Sequence, residues 1–396
     1  MEAFRILHIA PFFYGGVGIV AYMLTKEFTK IGHEVVLATP AKAPVELKKS
    51  IIQYYILRAP TLKDPLYSIQ YYIFNHRKIE EIVKLEKPDI VLTHGPLTVI
   101  AKTIRNIPVI SVIHGTYANE VRWMLFHPIF GLERVRYTTS IYTTYHLDMM
   151  LYRYITKLSN VYLVAVSKNT RRELIEAGIP PNKVFSILNG VDKEVFKPMN
   201  KDYAKTLVEE GFNLKLKSKV LLHVNPGPLK GTHILVKAVA MLKKIYGKDF
   251  TLLIVGKLGP RTFREYVKEI IRCLGLEENV KMLGYIENEK LPVLYNAADL
   301  TVVPSYSEGG PLITPESLAC GTPVVATDVG GNPEYLTLAG LGDLLIRLHN
   351  YDFSSTLSRS IKAGLQRKWL INRYSVVSWN DVVGRYIDLL HRLLTL

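Results

Sequence analysis

The chain has 396 residues, of which 48% are hydrophobic and 21% charged, and its formal net charge is +15. This composition excludes a disordered or collagen-like chain, and the length favours two domains of about 150–200 residues each. Only two cysteines occur, which argues against a disulfide framework and favours a reducing, cytoplasmic location.

Neither a secretory signal nor a membrane span is predicted. The amino-terminal letters MEAFRILHIAPFF indicate a first strand. They lack a basic stretch followed by a long apolar run, which argues against a secretory signal. An uninterrupted apolar run of about 18 residues is also missing. The positive charge predicts an anionic partner, namely nucleotide phosphates, an acidic membrane surface or nucleic acid, unless the lysines are simply scattered over a soluble surface.

Short apolar runs alternate with longer helical patterns along the chain, which predicts parallel sheets buried on both faces. Two such series indicate an α/β fold with a first domain over 1–190, a second over 191–375 and a terminal helix over 376–396 that packs back toward the first domain. The first series of predicted strands is Arg5–Ala10, Glu34–Ala38, Ile90–Thr93, Val109–Ile113 and Tyr162–Val166. The second is Val220–Val224, Thr251–Val255, Lys281–Leu283, Leu300–Val303 and Pro323–Ala326.

The densest motif is Pro304–Glu334, PSYSEGGPLITPESLACGTPVVATDVGGNPE. A glycine-bearing turn holds Glu308, and a helix is predicted with Thr314 as its N-cap and Pro315 at its first position. Free backbone N–H groups at such a helix start favour a diphosphate. Carboxylates such as Glu308 and Glu316 are good acceptors for sugar hydroxyls. The alternative is that Glu316 only complements the helix dipole and that Glu308 is solvated.

This motif resembles the signature of the retaining glycosyltransferases of the GT-B type, family 4, in which two glutamates separated by seven residues precede an AxACGxPVVA-like strand and a GGxPE turn. The resemblance implies two Rossmann-like domains whose parallel sheets face a central cleft. It also implies a nucleotide-sugar donor, with UDP-hexose the commonest in the family, and a role for Glu308 in orienting the transferred sugar. The donor-binding residues that it implies in the motif are Gly309, Gly310, Pro311, Leu312 and Glu316.

Other positions match the family in the same order. Gly15 and Gly16, in YGGVG, follow the first strand, where the family places a loop that faces the donor diphosphate. His114 ends a predicted strand and matches a histidine beside the transferred sugar, although a core histidine with satisfied hydrogen bonds is the simpler alternative. Gly256 and Tyr285 match positions near the nucleotide and its base.

One match is imperfect. The segment LLHVNPGPLKGTH, residues 221–233, stands where the family has VGRLxxxKG. Lys230 aligns with the family lysine, but Asn225 replaces an arginine that binds the diphosphate. An amide cannot replace the charge or the forked donor group of arginine, so we expect Lys230 to carry more of the phosphate neutralisation.

Members of this family retain the anomeric configuration and need no metal or other cofactor. The sequence has no DxD-like acidic cluster before a strand and no His or Cys set with ligand spacing. We expect backbone N–H groups and Lys230 to stabilise the leaving diphosphate. The expected route is front-face substitution, in which the leaving phosphate deprotonates the attacking hydroxyl and Glu308 is not a covalent nucleophile.

The acceptor of such enzymes usually docks on the first domain, where residues 117–158 mix aromatic and basic side chains. Basic residues beside exposed aromatics are typical of an interfacial helix on anionic lipid. One hypothesis is therefore peripheral membrane association with a glycan or polyisoprenoid-linked acceptor, as in surface-glycan or protein N-glycan assembly. The alternative is that the aromatics pack inward as a helical core face. The basic residues of the segment are Arg122, Arg134, Arg136, Arg153 and Lys157.

Three other classes of protein are alternatives. A nucleotide-sugar epimerase or a phosphorylase shares the architecture, but epimerases lack the paired-glutamate signature. An NAD-dependent dehydrogenase requires a GxGxxG turn and an acidic residue about 20 residues later, whereas the second strand ends in Leu37–Thr39. A nucleic-acid-binding protein would fit the charge, but the chain has no basic-aromatic sheet motif or zinc pattern, so no nucleic-acid partner is expected.

Overall fold

The chain forms two units, each built around its own parallel sheet. The first comprises Met1–Val121, Tyr137–Asn189 and Trp379–Leu396, and the second comprises Arg122–Arg136 and Gly190–Ser378. The computed structural model describes residues 3–13, 15–60, 67–104, 106–124, 131–247, 249–348, 352–366, 371 and 375–394.

Within these ranges, the first unit contains one sheet of seven parallel strands. They are β1 Arg5–Ile9, β2 Glu34–Thr39, β3 Gln53–Ile56, β4 Ile90–His94, β5 Val109–Ile113, β6 Val161–Ala165 and β7 Val184–Ser186. Their order across the sheet is β3-β2-β1-β4-β5-β6-β7. Because the winding direction reverses between β1 and β4, the carboxyl ends of these two strands flank the switch point at which such sheets bind ligands.

Helices connect these strands. They are α1 Gly15–Lys30, α2 Val45–Ser50, α3 Tyr67–Glu86, α4 Ala118–Trp123, α5 Gly131–Ile155 and α6 Lys168–Glu176, with a 3₁₀ helix over Gly95–Thr103. Strands β4 and β5 are buried at every residue, as expected for parallel strands that are covered on both faces.

The second unit repeats the same strand order. In the described ranges its strands are β8 Lys219–Val224, β9 Phe250–Val255, β10 Val280–Gly284, β11 Leu300–Val303, β12 Val324–Thr327 and β13 Leu345–Ile346. All are parallel, in the order β10-β9-β8-β11-β12-β13. The switch point therefore lies between β8 and β11. The helices are α7 Lys201–Phe212, α8 Thr232–Tyr246, α9 Arg261–Cys273, α10 Leu291–Ala297, α11 Ile313–Ala319, α12 Asn332–Leu338 and α13 Phe353–Gln366.

The last helix, α14 Trp379–Leu394, packs on α1 in the first unit. The ring of Tyr386 lies 6.2 Å from that of Phe28. An apolar stripe with helical spacing on α14 makes this contact favourable. The end of the predicted terminal segment, residues 395–396, lies outside the described residues.

The predicted α/β class with two parallel sheets is confirmed, and all ten predicted strands overlap observed ones. Three further strands, β3, β7 and β13, are short strands at or near the sheet edges. One segment of the predicted first domain, Arg122–Arg136, lies with the second unit, where the Trp123 ring is 5.7 Å from that of Tyr306. Among the described helices, none combines the length and the apolar character needed to cross a membrane.

Gly231, at the start of α8, is required by both conformation and space. Its φ is +68°, in the left-handed region that favours glycine. A Cβ at this position would collide with the carbonyl oxygen of Pro304 and lie 3.2 Å from the Pro304 Cγ. The loop after β8 and the loop after β11 therefore touch through backbone atoms at this point.

We predict that Gly231→Ala lowers the free energy of unfolding by about 2–5 kcal/mol, because left-handed strain and overpacking add. Urea denaturation measures the change. The control is Gly211→Ala on α7, where an added Cβ meets nothing within 4 Å and alanine should stabilise the helix by about 0.5–1 kcal/mol. Equal unfolding free energies for the two variants would contradict the prediction.

Candidate functional site

An ion pair joins the two loops that flank the switch point of the second sheet. Lys230, in the loop after β8, places its Nζ 2.8 Å from Oε1 of Glu308, in the loop after β11. The hydroxyl of Ser305 donates to the same carboxylate oxygen at 2.7 Å. The Glu308 side chain is 8% exposed and that of Lys230 26%. Two residues predicted as catalytic, 78 positions apart in the chain, are therefore in direct contact.

The turn that holds Glu308 packs against the GGNPE segment, residues 330–334. A Cβ on Gly330, whose φ is +57°, would lie 2.5 Å from the carbonyl oxygens of both Glu308 and Gly309. Only a glycine allows this close approach. The two glycine-bearing segments of the motif therefore form one packed unit.

The predicted helix cap at Thr314 is wrong. Helix α11 begins at Ile313, and its N-cap residue, Leu312, has no side-chain group that caps the helix. The Thr314 hydroxyl instead donates to Oδ1 of Asn332 at 2.7 Å. Asn332 in turn donates to the carbonyl of Thr327 at 3.1 Å. The hydroxyl that the sequence assigned to the cap therefore ties α11 to the GGNPE segment.

Glu316 lies on α11 and is 6% exposed. The hydroxyl of Tyr295 donates to its Oε2 at 2.8 Å. Burial raises the pKa of Glu316 to about 7, and the hydrogen bond from Tyr295 opposes that shift. The carboxyl is therefore neither solvated nor simply paired with the helix dipole, and near neutral pH it is close to half protonated.

The carboxyl ends of β8, β9 and β10 carry the remaining predicted donor residues. Asn225 is exposed with φ +58°, a left-handed conformation that asparagine adopts more readily than arginine. Gly256 packs its backbone against Pro226. The ring of Tyr285 is 70% exposed, and the ammonium of Lys257 lies 5.9 Å from its centroid. This edge offers an open aromatic surface beside a cation.

His114, in the first unit, belongs to a series of three histidines. Its Nε2 lies 2.8 Å from Nδ1 of His94, and Nε2 of His94 lies 2.8 Å from Nε2 of His8. Nδ1 of His8 lies 2.8 Å from the Thr25 hydroxyl. Burial lowers the pKa of His8 to about 3 and that of His114 to about 4, and the pKa of His94 is also well below its usual value. All three rings are therefore neutral at physiological pH.

The segment after His114 is held by a partly buried carboxylate. Glu173 on α6 accepts hydrogen bonds from Thr116, from Asn119 at 3.1 Å and from Asn169 at 2.7 Å. Desolvation raises the pKa of Glu173, and the bonds from Thr116 and Asn169 oppose the shift. Ser167 caps α6 by accepting from the Thr170 amide at 3.1 Å. Glu173 therefore ties the segment that follows His114 to α6.

The glycines of the predicted turn after β1 have two different roles. Gly15, with φ +65°, and Gly16 are exposed, and an added Cβ on either would meet nothing within 4 Å. Gly18 is buried, and its Cβ would lie 2.5 Å from the carbonyl carbon of Phe13. The first two glycines therefore leave open space at the start of α1, and Gly18 serves packing.

Sequence reasoning missed the partners of the predicted residues. Ser305 and Tyr295 hold Glu308 and Glu316, and His8 and His94 hold His114. A signal was present for the histidines, because His8 interrupts an apolar strand and His94 ends one. Among the described residues, no group of three or more His, Cys, Asp or Glu side chains is arranged to hold a metal ion.

Two parallel sheets of Rossmann order, with the paired-glutamate motif after β11, define a glycosyltransferase of the GT-B class. A model described as Glycosyltransferase Family 4 matches residues 14–195, and one described as Glycosyl transferases group 1 matches residues 206–346. Together they span most of the sequence, and the chain belongs to the family 4 glycosyltransferases.

A D-inositol 3-phosphate glycosyltransferase of Streptosporangium roseum is 29% identical over 238 residues, which are 57% of this chain and 54% of that protein. The chain thus matches about half the length of this relative. A glycosyltransferase of Rickettsia africae has the same fold, with a TM-score of 0.72, 21% identity and coverage of 100% of this chain and 99% of the other. HepE of Anabaena, solved with UDP-glucose, has a TM-score of 0.64, 19% identity and coverage of 99% and 96%.

The raised pKa of Glu316 predicts a pH-dependent stability. Its ordinary value of 4.5 rises to about 7 in the folded chain, so the stabilisation is complete below pH 4.5 and is lost as the pH rises through 7. As the pH rises from 4.5 to 8, the parent chain should therefore lose on the order of 3 kcal/mol of unfolding free energy relative to Glu316→Gln.

Urea denaturation of both proteins across this range measures the difference. The buried histidines, whose pKa values are lowered, change stability in the opposite direction, but they are common to both proteins and cancel. Replacement of the exposed Glu277 by Gln controls for the loss of one carboxylate. A difference between the Glu316→Gln and parent chains that stays constant with pH would contradict the prediction.

Proposed function

We propose that this protein transfers a hexose from a nucleotide sugar to a glycan or lipid-linked glycan acceptor, with retention of the anomeric configuration. The observation that carries the proposal is the Lys230–Glu308 pair at the switch point of the second sheet. It supplies a cation for a diphosphate and a carboxylate for sugar hydroxyls in one place. UDP-hexose is the proposed donor.

Lys230 is the cation that this site offers to a diphosphate. Lys230 is partly exposed, and its ammonium is fixed by Glu308 before any ligand arrives. A cation that is already positioned stabilises developing negative charge without a further cost of reorganisation. Asn225 brings no charge, so Lys230 is the proposed main neutraliser of the diphosphate, with Lys257 beside Tyr285 near the nucleotide.

Glu308 is proposed to orient the transferred sugar. Lys230 and Ser305 both engage its Oε1, so the orientation of the carboxylate is fixed by two donors. An oriented carboxylate accepts hydroxyl hydrogen bonds with defined geometry. In the proposed mechanism the leaving phosphate takes the proton of the acceptor hydroxyl, and neither a metal nor another cofactor takes part.

The named relatives support parts of this proposal. HepE of Anabaena was solved with UDP-glucose, which supports a uridine nucleotide sugar as donor. The curated relatives are D-inositol 3-phosphate glycosyltransferases, which supports transfer of a glycosyl group, and the chain matches about half of their length. The proposed acceptor is a glycan or a polyisoprenoid-linked glycan, and the proposed location is the cytoplasmic membrane face.

We predict that one class of nucleotide sugar raises the melting temperature of the protein and is turned over in the presence of acceptor glycans. Binding at a ligand concentration 100 times Kd stabilises the folded state by about 2.7 kcal/mol. Lys230→Ala should lower turnover by about 10²–10³-fold, because it removes the positioned charge at the leaving group. A thermal-shift screen followed by measurement of sugar transfer tests both statements.

Lys215→Ala is the matched control. Lys215 forms an exposed ion pair with Glu209 at 3.2 Å just before β8, at the amino end of that strand. Its removal should leave both melting temperature and turnover near those of the parent chain, because exposed pairs contribute about 0–1 kcal/mol. Full transferase activity in Lys230→Ala would refute the site.

Helix α5 is the proposed contact with an anionic membrane surface. Its inward face includes Ile141, Met149 and Tyr152, which are buried, so part of the aromatic segment packs in the core. The opposite face exposes Tyr142 and Tyr154 by 50% and 51%. The exposed aromatic and apolar side chains alternate with basic ones, which is typical of an interfacial helix. The exposed set in the first unit is Tyr142, Met150, Arg153, Tyr154 and Lys157.

Other parts of the predicted segment contribute differently. Arg122 and Arg136 belong to the second unit. Residues 125–130 and the side chain of Arg134 lie outside the described residues. Lys102 adds a cation to the exposed face of α5, since its ammonium lies 5.0 Å from the Tyr154 ring centroid.

We predict salt-sensitive binding of the protein to anionic vesicles and no binding to neutral ones. Lys157→Ala should weaken binding about fivefold, since a basic residue near an anionic surface contributes about 1 kcal/mol. Sedimentation with vesicles at several salt concentrations measures this, with Lys215→Ala as the control for loss of a distant exposed lysine. Equal sedimentation with anionic and neutral vesicles would exclude this role for α5.

A further inference from the structure

The three histidines of the first unit, His8, His94 and His114, form a series that extends from the core to the carboxyl edge of the sheet. His8 pairs in register with Leu92, two residues before His94, and His94 pairs with Val112, two residues before His114. Steps of two residues keep all three side chains on one face of the sheet. His8 is 0% exposed and His94 2%, whereas His114 is partly exposed.

The inner end of the series has a fixed hydrogen-bond direction. The Thr25 hydroxyl lies 2.9 Å from the carbonyl oxygen of Ala21, which can only accept, so the single hydroxyl proton must point at it. The Thr25 oxygen is therefore an acceptor toward His8. Since the oxygen lies 2.8 Å from Nδ1 of His8, that nitrogen must carry a proton, because two facing lone pairs would repel.

The hydrogen-bond direction at Thr25 determines the tautomer of each histidine in turn. A neutral imidazole has one N–H donor and one acceptor nitrogen. With Nδ1 protonated, Nε2 of His8 accepts from Nε2–H of His94, whose Nδ1 then accepts from Nε2–H of His114. Burial keeps the pKa values of all three rings low, which agrees with a neutral series.

We propose that Thr25, His8 and His94 are positioning residues that hold His114 in its Nε2–H tautomer and leave its Nδ1 as a hydrogen-bond acceptor for a substrate hydroxyl. The role of Nδ1 toward a substrate hydroxyl rests on the proposed function, whereas the tautomer assignment rests on the geometry of the first unit alone. Only His114 would touch the substrate.

Two other roles for the series disagree with its geometry. A proton relay needs a terminal group that can take up or release a proton, but the series ends at the carbonyl of Ala21. A metal site needs lone pairs that converge on one point. Here the ring nitrogens of neighbouring histidines face each other at 2.8 Å and are engaged in pairs.

The test is the tautomer of His114 in the full chain, measured by nitrogen NMR with ¹⁵N-labelled histidine. His114→Gln identifies the signals by their loss. In the parent chain we expect His114 to be protonated at Nε2 and unprotonated at Nδ1. Thr25→Val keeps the shape of the side chain but removes the acceptor for His8, so the series can reverse and the Nδ1–H form of His114 should become populated.

Thr25→Ser is the matched control, because it keeps the hydroxyl and should restore the Nε2–H form. If one hydrogen bond to substrate is lost, kcat/KM of Thr25→Val should fall about three- to tenfold, with partial or full recovery in Thr25→Ser. A purely structural role for Thr25 would change the unfolding free energy but not the tautomer.

Two results would overturn the proposal: Nδ1–H on His114 in the parent chain, or an unchanged His114 tautomer in a folded Thr25→Val variant. A chain without any transfer activity would refute the proposed function, and the NMR signals would still decide whether the series fixes the tautomer.

Discussion

The ion pair between Lys230 and Glu308 depends on the strand order of the second sheet, and the proposed donor site depends on that pair. Strands β8 and β11 are parallel neighbours, and the chain leaves them toward opposite sides of the sheet. The loops that follow them can therefore meet above their carboxyl ends. Gly231 and Gly330 then bring backbone segments close enough for the two side chains to touch. Conformation, packing and charge at the site therefore share one cause, which is the order of parallel strands.

The first sheet has the same strand order but uses neutral groups at its switch point. His8 and His94 lie on β1 and β4, the two strands that flank the switch point, and His114 directly follows β5. A buried charge at this point would need an oppositely charged partner to offset the free energy of its desolvation. A neutral histidine series avoids this desolvation, because each ring forms a hydrogen bond with the next one. The two units thus repeat one architecture with different chemistry, a charged pair in one and a polar series in the other.

The sequence predicts the class of fold and ten of the strands in the described ranges, because buried parallel strands are largely apolar runs such as IVLTH and VISVI. It assigns Lys230 and Glu308 to one donor site only through the family resemblance, and it does not predict the ion pair between them. It could not predict the partner of Thr314, since a threonine before a proline is a good helix cap and the competing amide of Asn332 lies 18 residues away. The raised pKa of Glu316 was equally out of reach, because it follows from burial of the carboxyl in the folded chain.

The acid–base properties of the site limit which groups can take the acceptor proton in the proposed mechanism. His114, with a pKa of about 4, is neutral at physiological pH but is too weak a base to remove a proton from a hydroxyl efficiently. Glu308 has one carboxylate oxygen engaged by the ammonium of Lys230 and the hydroxyl of Ser305, so that oxygen is not open to the acceptor hydroxyl. A strongly charged leaving phosphate is then the best remaining base. The neutral histidine and the paired glutamate therefore suit the proposed role of orienting a sugar, and they are compatible with the proposed substrate-assisted proton transfer.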